Sequence, residues 1–266
     1  AITYLGRESI NMLVERSEEM GYRALAGHTD SCYIQVPFDE AEDVAQRLTN
    51  IAQDEMGLKY LDVELEAFFP YWFTGAKKEK GKIVPVKNRN FGIKSWPEDE
   101  AGTGYSVKAS NSPTLTKEIL GKSFELIATG KEEDEVFNQI RPLIKQVYSG
   151  VHPPSYASSF NSLSKDLDKY EKTINAVTAA RYSNQYLGTN YKKNDSVQWV
   201  YIDDVPEGQP LTNVVAYDDE RQISEYSVNW SVTVEKWIHD KLKTVYCGLG
   251  WDLERLTARR VPRKLW

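Results

Sequence analysis

"AGHTDSCYIQV", residues 26–36, sets Asp30 between Thr29 and Ser31 in the pattern of a strand, a tight turn and a second strand. Asp tolerates the backbone geometry of a turn, so chain reversal alone accounts for an acid at that position. A carboxylate at a hairpin tip can also offer oxygen to a hard divalent cation if a second acid stands close by. Upstream, Ile2, Leu5, Ile10, Leu13 and Val14 recur at helical spacing between charged residues, which predicts a helix stopping near Gly21. Downstream, Ala41, Val44, Ala45, Leu48, Ile51 and Ala52 share one face of a second helix, with Asp39 and Glu40 at its start and Gly57 as its stop. In "YLDVELEAFF", residues 60–69, Leu61, Val63, Leu65 and Ala67 alternate with Asp62, Glu64 and Glu66, the period of a half-buried strand with an acidic polar face. Asp30 and Glu64 can therefore be read as a cation site, or as a plain turn beside a solvated strand face. Two-metal phosphoryl transfer would need a further acid to bridge the ions, and none stands in a comparable turn.

Composition narrows the classes. The 266 residues are 41% hydrophobic, 27% charged and 12% aromatic, which argues for a folded chain of one large or two smaller domains and against a fibrous or disordered one. Two cysteines, Cys32 and Cys247, form no disulfide framework and lack metal-site spacing, so a reducing, cytoplasmic setting is expected. No apolar run reaches membrane-spanning length and the amphipathic start is not signal-like, so neither a membrane nor secretion is expected. The formal net charge of -6 argues against indiscriminate nucleic-acid binding, but it conceals a local reversal. Lys77, Lys78, Lys80, Lys82, Lys87, Arg89 and Lys94 stand against Glu79 alone between residues 77 and 94. Loop signals at Pro97, Gly102, Gly104, Asn111 and Pro113 suggest a domain boundary. Beyond it come three helical segments, "LTKEILGKSFELIATG", "EEDEVFNQIRPLIKQVYSG" and "KDLDKYEKTINAVTAARYSNQYLG", short strands in "SVQWVYI" and "NVVAYD", and a long helix through "NWSVTVEKWIHDKLKTVYCGLG". Trp199, Trp230, Trp237 and Trp251 are expected to fill cores. His152 and His239 are read as lacking the neighbours of a site, and the basic end "RLTARRVPRKLW" as a frayed tail, a nucleic-acid contact or a docking peptide.

Taken in order, these segments resemble the C-terminal part of family B DNA polymerases. "AGHTDSCYIQV" resembles the motif C region, usually written YGDTDS, and "AITYLGRESI" the palm helix before it. "YLDVELEAFF" resembles the following palm strand, "VKNRNFG" the lysine-rich KKRYxG segment, "VKASNSPTLTKEIL" the approach to the thumb, and the stretch from "AARYSNQYLG" to "VNWSVTVEKWI" the thumb. The resemblance covers essentially the whole chain. It implies that Asp30 is the motif C carboxylate that holds catalytic Mg2+, with His28, Thr29 and Ser31 in its turn and Glu64 as an auxiliary acid near the metals. It also implies that Lys87, Asn88, Arg89, Asn90, Phe91 and Gly92 track the primer-template minor groove. Lys and Arg can meet phosphates, or the acceptors that every correct pair shows there, without reading sequence. A solvated basic hairpin is the alternative, and "TGAKKEKGK" is a second candidate for the register, with Lys77 and Lys78 otherwise on a hairpin arm. In the thumb, Arg181, Tyr182, Asn184, Lys192 and Lys193 are candidates for backbone contacts.

Departures from the family pattern carry consequences. Ala26 stands for the usual tyrosine and His28 for the first aspartate, which removes one negative charge from the metal site. Asn88 and Asn90 stand for a lysine and a tyrosine. The motif A aspartate, the motif B lysine, the fingers and the exonuclease lie outside these residues, so the bridging acid is expected from elsewhere and the 266 residues alone are not expected to extend a primer. The resulting expectation is an α+β fold: a partial palm, an antiparallel sheet with helices on one face, over 1–108, then a mainly helical thumb with a small β portion over 109–266. Expected partners are primer-template DNA, dNTP and the missing N-terminal polymerase portion, acting with the nucleoid or viral DNA in replication. The alternatives are a non-catalytic DNA-binding relic and an unrelated structural protein.

Overall fold

In a computed structural model of the chain, residues 2–27, 31–97 and 109–257 are described. Two compact units emerge. The first comprises residues up to Phe69 with 94–99, and the second comprises 70–93 with the remainder.

The first unit opens with helix α1 (Ile2–Glu19), followed by the hairpin of strands β1 (Arg23–Gly27) and β2 (Cys32–Gln35) and by helix α2 (Ala41–Met56). α1 packs against both strands and against α2. Met12, Leu13, Val44, Leu48 and Ala52 form the core between the helices, with Ile34, Leu61 and Val63 packed on it. Gly27, the last β1 residue, is required by a close approach: a Cβ there would sit 3.1 Å from Ile10 Cγ2. Gly57 ends α2 in the left-handed region at φ 64, which glycine adopts at no steric cost.

Residues 61–67 depart from the strand expectation. Their exposure alternates as the sequence predicts, but they join no strand ladder among the described residues. The segment instead lies along α2, where Val63 N donates to Thr49 Oγ1 at 2.8 Å and Gln53 Nε2 donates to Leu61 O at 3.0 Å. Alternation reports which side chains are buried, not which backbone supplies the partner.

The second unit does not respect a break at residue 108. The basic stretch forms a hairpin of β3 (Tyr71–Glu79) and β4 (Lys82–Ile93), and it packs on the helices that follow, α3 (Thr114–Ala128) and α8 (Asp240–Leu249). The cause is aromatic: Phe91 is only 4% exposed, and its ring lies 5.3 Å from Phe73 and 4.2 Å from Phe124. Between these helices come α4 (Glu133–Ser149), α5 (Pro154–Ala157), β5 (Ser159–Ser162), α6 (Asn175–Tyr186), β6 (Ser196–Tyr201), β7 (Val214–Ala216) and α7 (Trp230–Val234), and α9 (Leu253–Thr257) follows. β6 is the centre of a three-stranded antiparallel sheet, and α6 covers it through Val177 and Ala180 against Val197, Trp199, Val214 and Ala216. β5, "SFNS", gives no alternating signal and is missed by periodicity. The third helical segment is shorter than its sequence suggests. Ile174 is extended, and upstream the Tyr170 hydroxyl accepts from Ser164 N at 2.8 Å, folding that stretch into a turn of its own.

Gly248 lets α8 reach the hairpin: a Cβ there would stand 3.1 Å from the Thr74 carbonyl oxygen and 3.5 Å from Ala76 N. Alanine in place of glycine normally favours a helix by about 1 kcal/mol, but here the obstacle is backbone that cannot rotate away. Gly248→Ala is therefore expected to lower the thermal midpoint, and a raised midpoint would show that α8 and β3 can move apart freely.

Candidate nucleic-acid interface

The hairpin is irregular where the sequence is most basic. β3 and β4 pair regularly from Tyr71↔Ile93 to Thr74↔Asn90 and again from Ala76↔Pro85, so residues 86–89 stand opposite Gly75 alone. This bulge expels Lys87, Asn88 and Arg89 from the ladder, and bulges re-aim side chains and end pairing. Both sides of it are fixed. Asn90 accepts from the Thr74 hydroxyl at 3.1 Å, Gly92 lies opposite Trp72, and Phe91 is buried. Pro85 at the other side fits, because proline supplies no ladder donor. Arg89 is exposed.

A cation the sequence did not announce lies on α8, the helix that packs on this hairpin. Lys241 is half-buried on α8, with Nζ 5.1 Å from the centre of the Trp237 ring. Burial pushes its pKa below the usual lysine value and the charge of Arg89 pushes it further down, while the neighbouring Asp240 offsets part of this. Two cations from separate elements thus raise one another's electrostatic cost, which an anion between them would relieve. Lys241 lies two helical turns before Gly248, so it shares the face that meets the hairpin. The helical period puts the two on one face, but only the packing shows what that face meets.

The other basic candidates separate. Lys77 and Lys78 are exposed toward the hairpin end, Lys77 paired with Glu79 at 3.2 Å. Lys192 and Lys193 are exposed. Arg181 donates to the Leu167 carbonyl and so braces the turn before α6. Tyr182 is 7% exposed, and its hydroxyl bonds Gln209 and Tyr226. Asn184 donates to Tyr191 O at 2.9 Å and accepts from Tyr191 N at 2.8 Å and Thr189 Oγ1 at 2.9 Å. Arg181, Tyr182 and Asn184, expected as backbone contacts, each also hydrogen-bond a neighbour within the fold; sequence spacing cannot distinguish an outward polar residue from one that clips a loop.

In the first unit, Asp30, His28 and Thr29 lie outside the described residues, and β1 and β2 pair as far as Gly27↔Cys32. Ser31 is half-buried. Glu64 is exposed, flanked on the same face by Asp62 and Glu66, with Asp62 Oδ1 3.4 Å from Gln53 Nε2. A row of exposed carboxylates fits the oxygen preference of Mg2+. Among the described residues no helix is long and apolar enough to cross a membrane.

Comparison with known proteins agrees with this architecture. No protein-family model matches the chain. DNA polymerase 1 of Aeropyrum pernix is 27% identical over 214 residues, 75% of this chain and 20% of the relative. DNA polymerase 1 of Sulfolobus acidocaldarius is 22% identical over 95% of this chain and 27% of its own length. The fold matches a family B DNA polymerase from Pyrobaculum calidifontis with a TM-score of 0.56 at 18% identity, over 91% of this chain and 29% of that one. The chain thus spans about a quarter of the length of these relatives.

Proposed function

We propose that this chain, which is similar over most of its length to DNA polymerases and shares the fold of a family B enzyme, is a C-terminal palm and thumb portion that grips primer-template DNA. It contributes one carboxylate turn to nucleotidyl transfer. The observation that carries this reading is the bulge at 86–89, which falls on the segment resembling KKRYxG in a hairpin packed on α8, the helix of Lys241. A solvated hairpin gains nothing from setting Arg89 against a half-buried lysine. A duplex backbone brings phosphates to these cations, and contacts to phosphate need no sequence preference.

The division of labour follows from the residues. Arg89 and Lys241 hold the duplex, and the resemblance adds Lys87 of the same segment. By the resemblance, Asn88 trades the phosphate attraction of a lysine, and Asn90 the stacking of a tyrosine, for hydrogen bonding, Asn90 being fixed by Thr74. Asp30 in its turn and the exposed Glu64 are the oxygen donors for Mg2+, which when bound activates the primer hydroxyl and offsets charge on the triphosphate. His28 beside Asp30 lowers the negative charge of that turn. The bridging acid comes from outside these 266 residues.

These residues alone are therefore expected to bind duplex but not to extend a primer. Adding a polypeptide that carries motif A and motif B is expected to restore extension, and Asp30→Ala to abolish it. Robust extension by these residues alone, lost on Asp30→Ala, would overturn the division. His28 favours one other reading, a DNA-binding relic. If complementation works only with His28→Asp, the relic is correct.

A further inference from the structure

The stretch read as one long helix is interrupted. Between α7 and α8, Glu235–His239 forms a widened π turn, a local departure that costs regular helix bonding and recurs at functional sites. His239, read from sequence as having no site neighbours, is surrounded by carboxylates. Its side chain is 12% exposed, and Nε2 lies 3.2 Å from Glu254 Oε1 on α9. An ionised carboxylate only accepts, so Nε2 carries the ring hydrogen and, in the neutral ring, Nδ1 is left with its lone pair. Nδ1 is buried and has no hydrogen-bond partner. It faces Glu235 Oε1 at 3.9 Å, too far for a hydrogen bond, and the donor atoms of Glu235, His239 and Asp240 all lie within 4.8 Å of one another. A buried lone pair facing a carboxylate is unfavourable, and either a proton on Nδ1 or a cation held among the three groups relieves it.

We infer that Glu235, His239 Nδ1 and Asp240 form a site for a divalent transition metal of the Zn2+ class, holding the π turn. One imidazole nitrogen with two carboxylates suits Zn2+ better than Mg2+. Ligands about 2.1 Å from a zinc ion stand at most about 4.2 Å apart, so the exposed carboxylates close the observed spacing by rotating. Water takes the fourth position. Glu254 is the partner that fixes the tautomer, the usual arrangement behind a metal-bound histidine. Asp240 also pairs with Lys236 through Oδ2 at 3.2 Å, which makes it the weakest of the three. The site does not rest on the DNA-binding reading, although its Asp240 also favours the charged form of Lys241.

Zn2+ added to metal-free chain, followed by calorimetry and thermal denaturation without DNA, tests it. One equivalent is expected to bind and to raise the midpoint. His239→Gln should weaken binding at least 100-fold, Glu235→Gln at least tenfold, and Glu254→Gln between 10- and 100-fold. Asp30→Asn should leave this binding unchanged. Because Glu235 is exposed, its variant decides the matter if His239→Gln does not fold. No stoichiometric Zn2+ binding, or binding unchanged by Glu235→Gln and His239→Gln, would overturn the site and show that a protonated ring satisfies Nδ1 instead. Binding lost only on replacing Cys32 and Cys247 would overturn it as well.

Discussion

Arg89→Ala and Lys241→Ala are each expected to reduce the salt dependence of primer-template binding by close to one unit in the slope of log affinity against log salt. The reason is counterion release: each phosphate neutralised by a side chain frees about 0.9 of a condensed cation. The double variant should lose close to two units and bind far more weakly at low salt, with no change in preference among duplex sequences, because phosphate contacts carry no sequence information. The pair should also be non-additive. In the free protein each cation raises the other's cost, so removing one relieves its neighbour, and a double-mutant cycle on binding measures that coupling. Lys241 adds a second readout. Its pKa is held below the ordinary value by burial and by Arg89, so the charged form is disfavoured in the free fold, and stability should rise as pH climbs through the lowered pKa toward the ordinary one. A bound phosphate reverses that preference, so duplex binding should take up protons in the same range. Slopes left unchanged by both substitutions would mean that the bulge is a solvated surface and that the family resemblance in 87–92 has outlived its contact.

What the sequence conveyed and what it withheld follow from how far each signal reaches. The helices with strong apolar faces and clear stops were legible: α2 ends at Gly57, and α4 begins under a capping box of Glu132 and Glu135. The basic run was legible as charge, and its likeness to KKRYxG placed 87–92 within it. The bulge was not, because register is a property of two strands, and the bulged residues 86–89 look like any other basic strand. The assignment of the hairpin to the second unit was hidden for a related reason. Loop signals between 97 and 113 mark where the chain bends, whereas Phe91 and Gly248 determine what it packs against. Arg181, Tyr182 and Asn184 show what residue type leaves out: all three suit a backbone contact by type, and all three also bond neighbours within the fold. His239 shows the reverse. Its neighbours Glu235 and Asp240 stand in the sequence, yet only the widened turn and Glu254 from α9 turn them into a cluster.

Phe91→Ala is expected to cost about 3–5 kcal/mol in the stability of the second unit, the range for emptying a buried aromatic site. The ring is almost fully buried and touches Phe73 on the paired strand and Phe124 on α3, so it joins the hairpin to the helices at one point. Chemical denaturation should therefore show a lower midpoint with little change in slope, while Phe91→Leu, which keeps most of the apolar volume, should cost far less. The substitution also bears on function, because Phe91 sits two residues past Arg89 and fixes one side of the bulge. Amide exchange along 82–93 should accelerate before global unfolding. Duplex binding should weaken even where the chain remains folded, with the salt slope retained, because the charges are still present but no longer held in place. A cost below about 1 kcal/mol, small for a buried aromatic, would show that the hairpin docks through other contacts and that the bulge is positioned without its aromatic anchor.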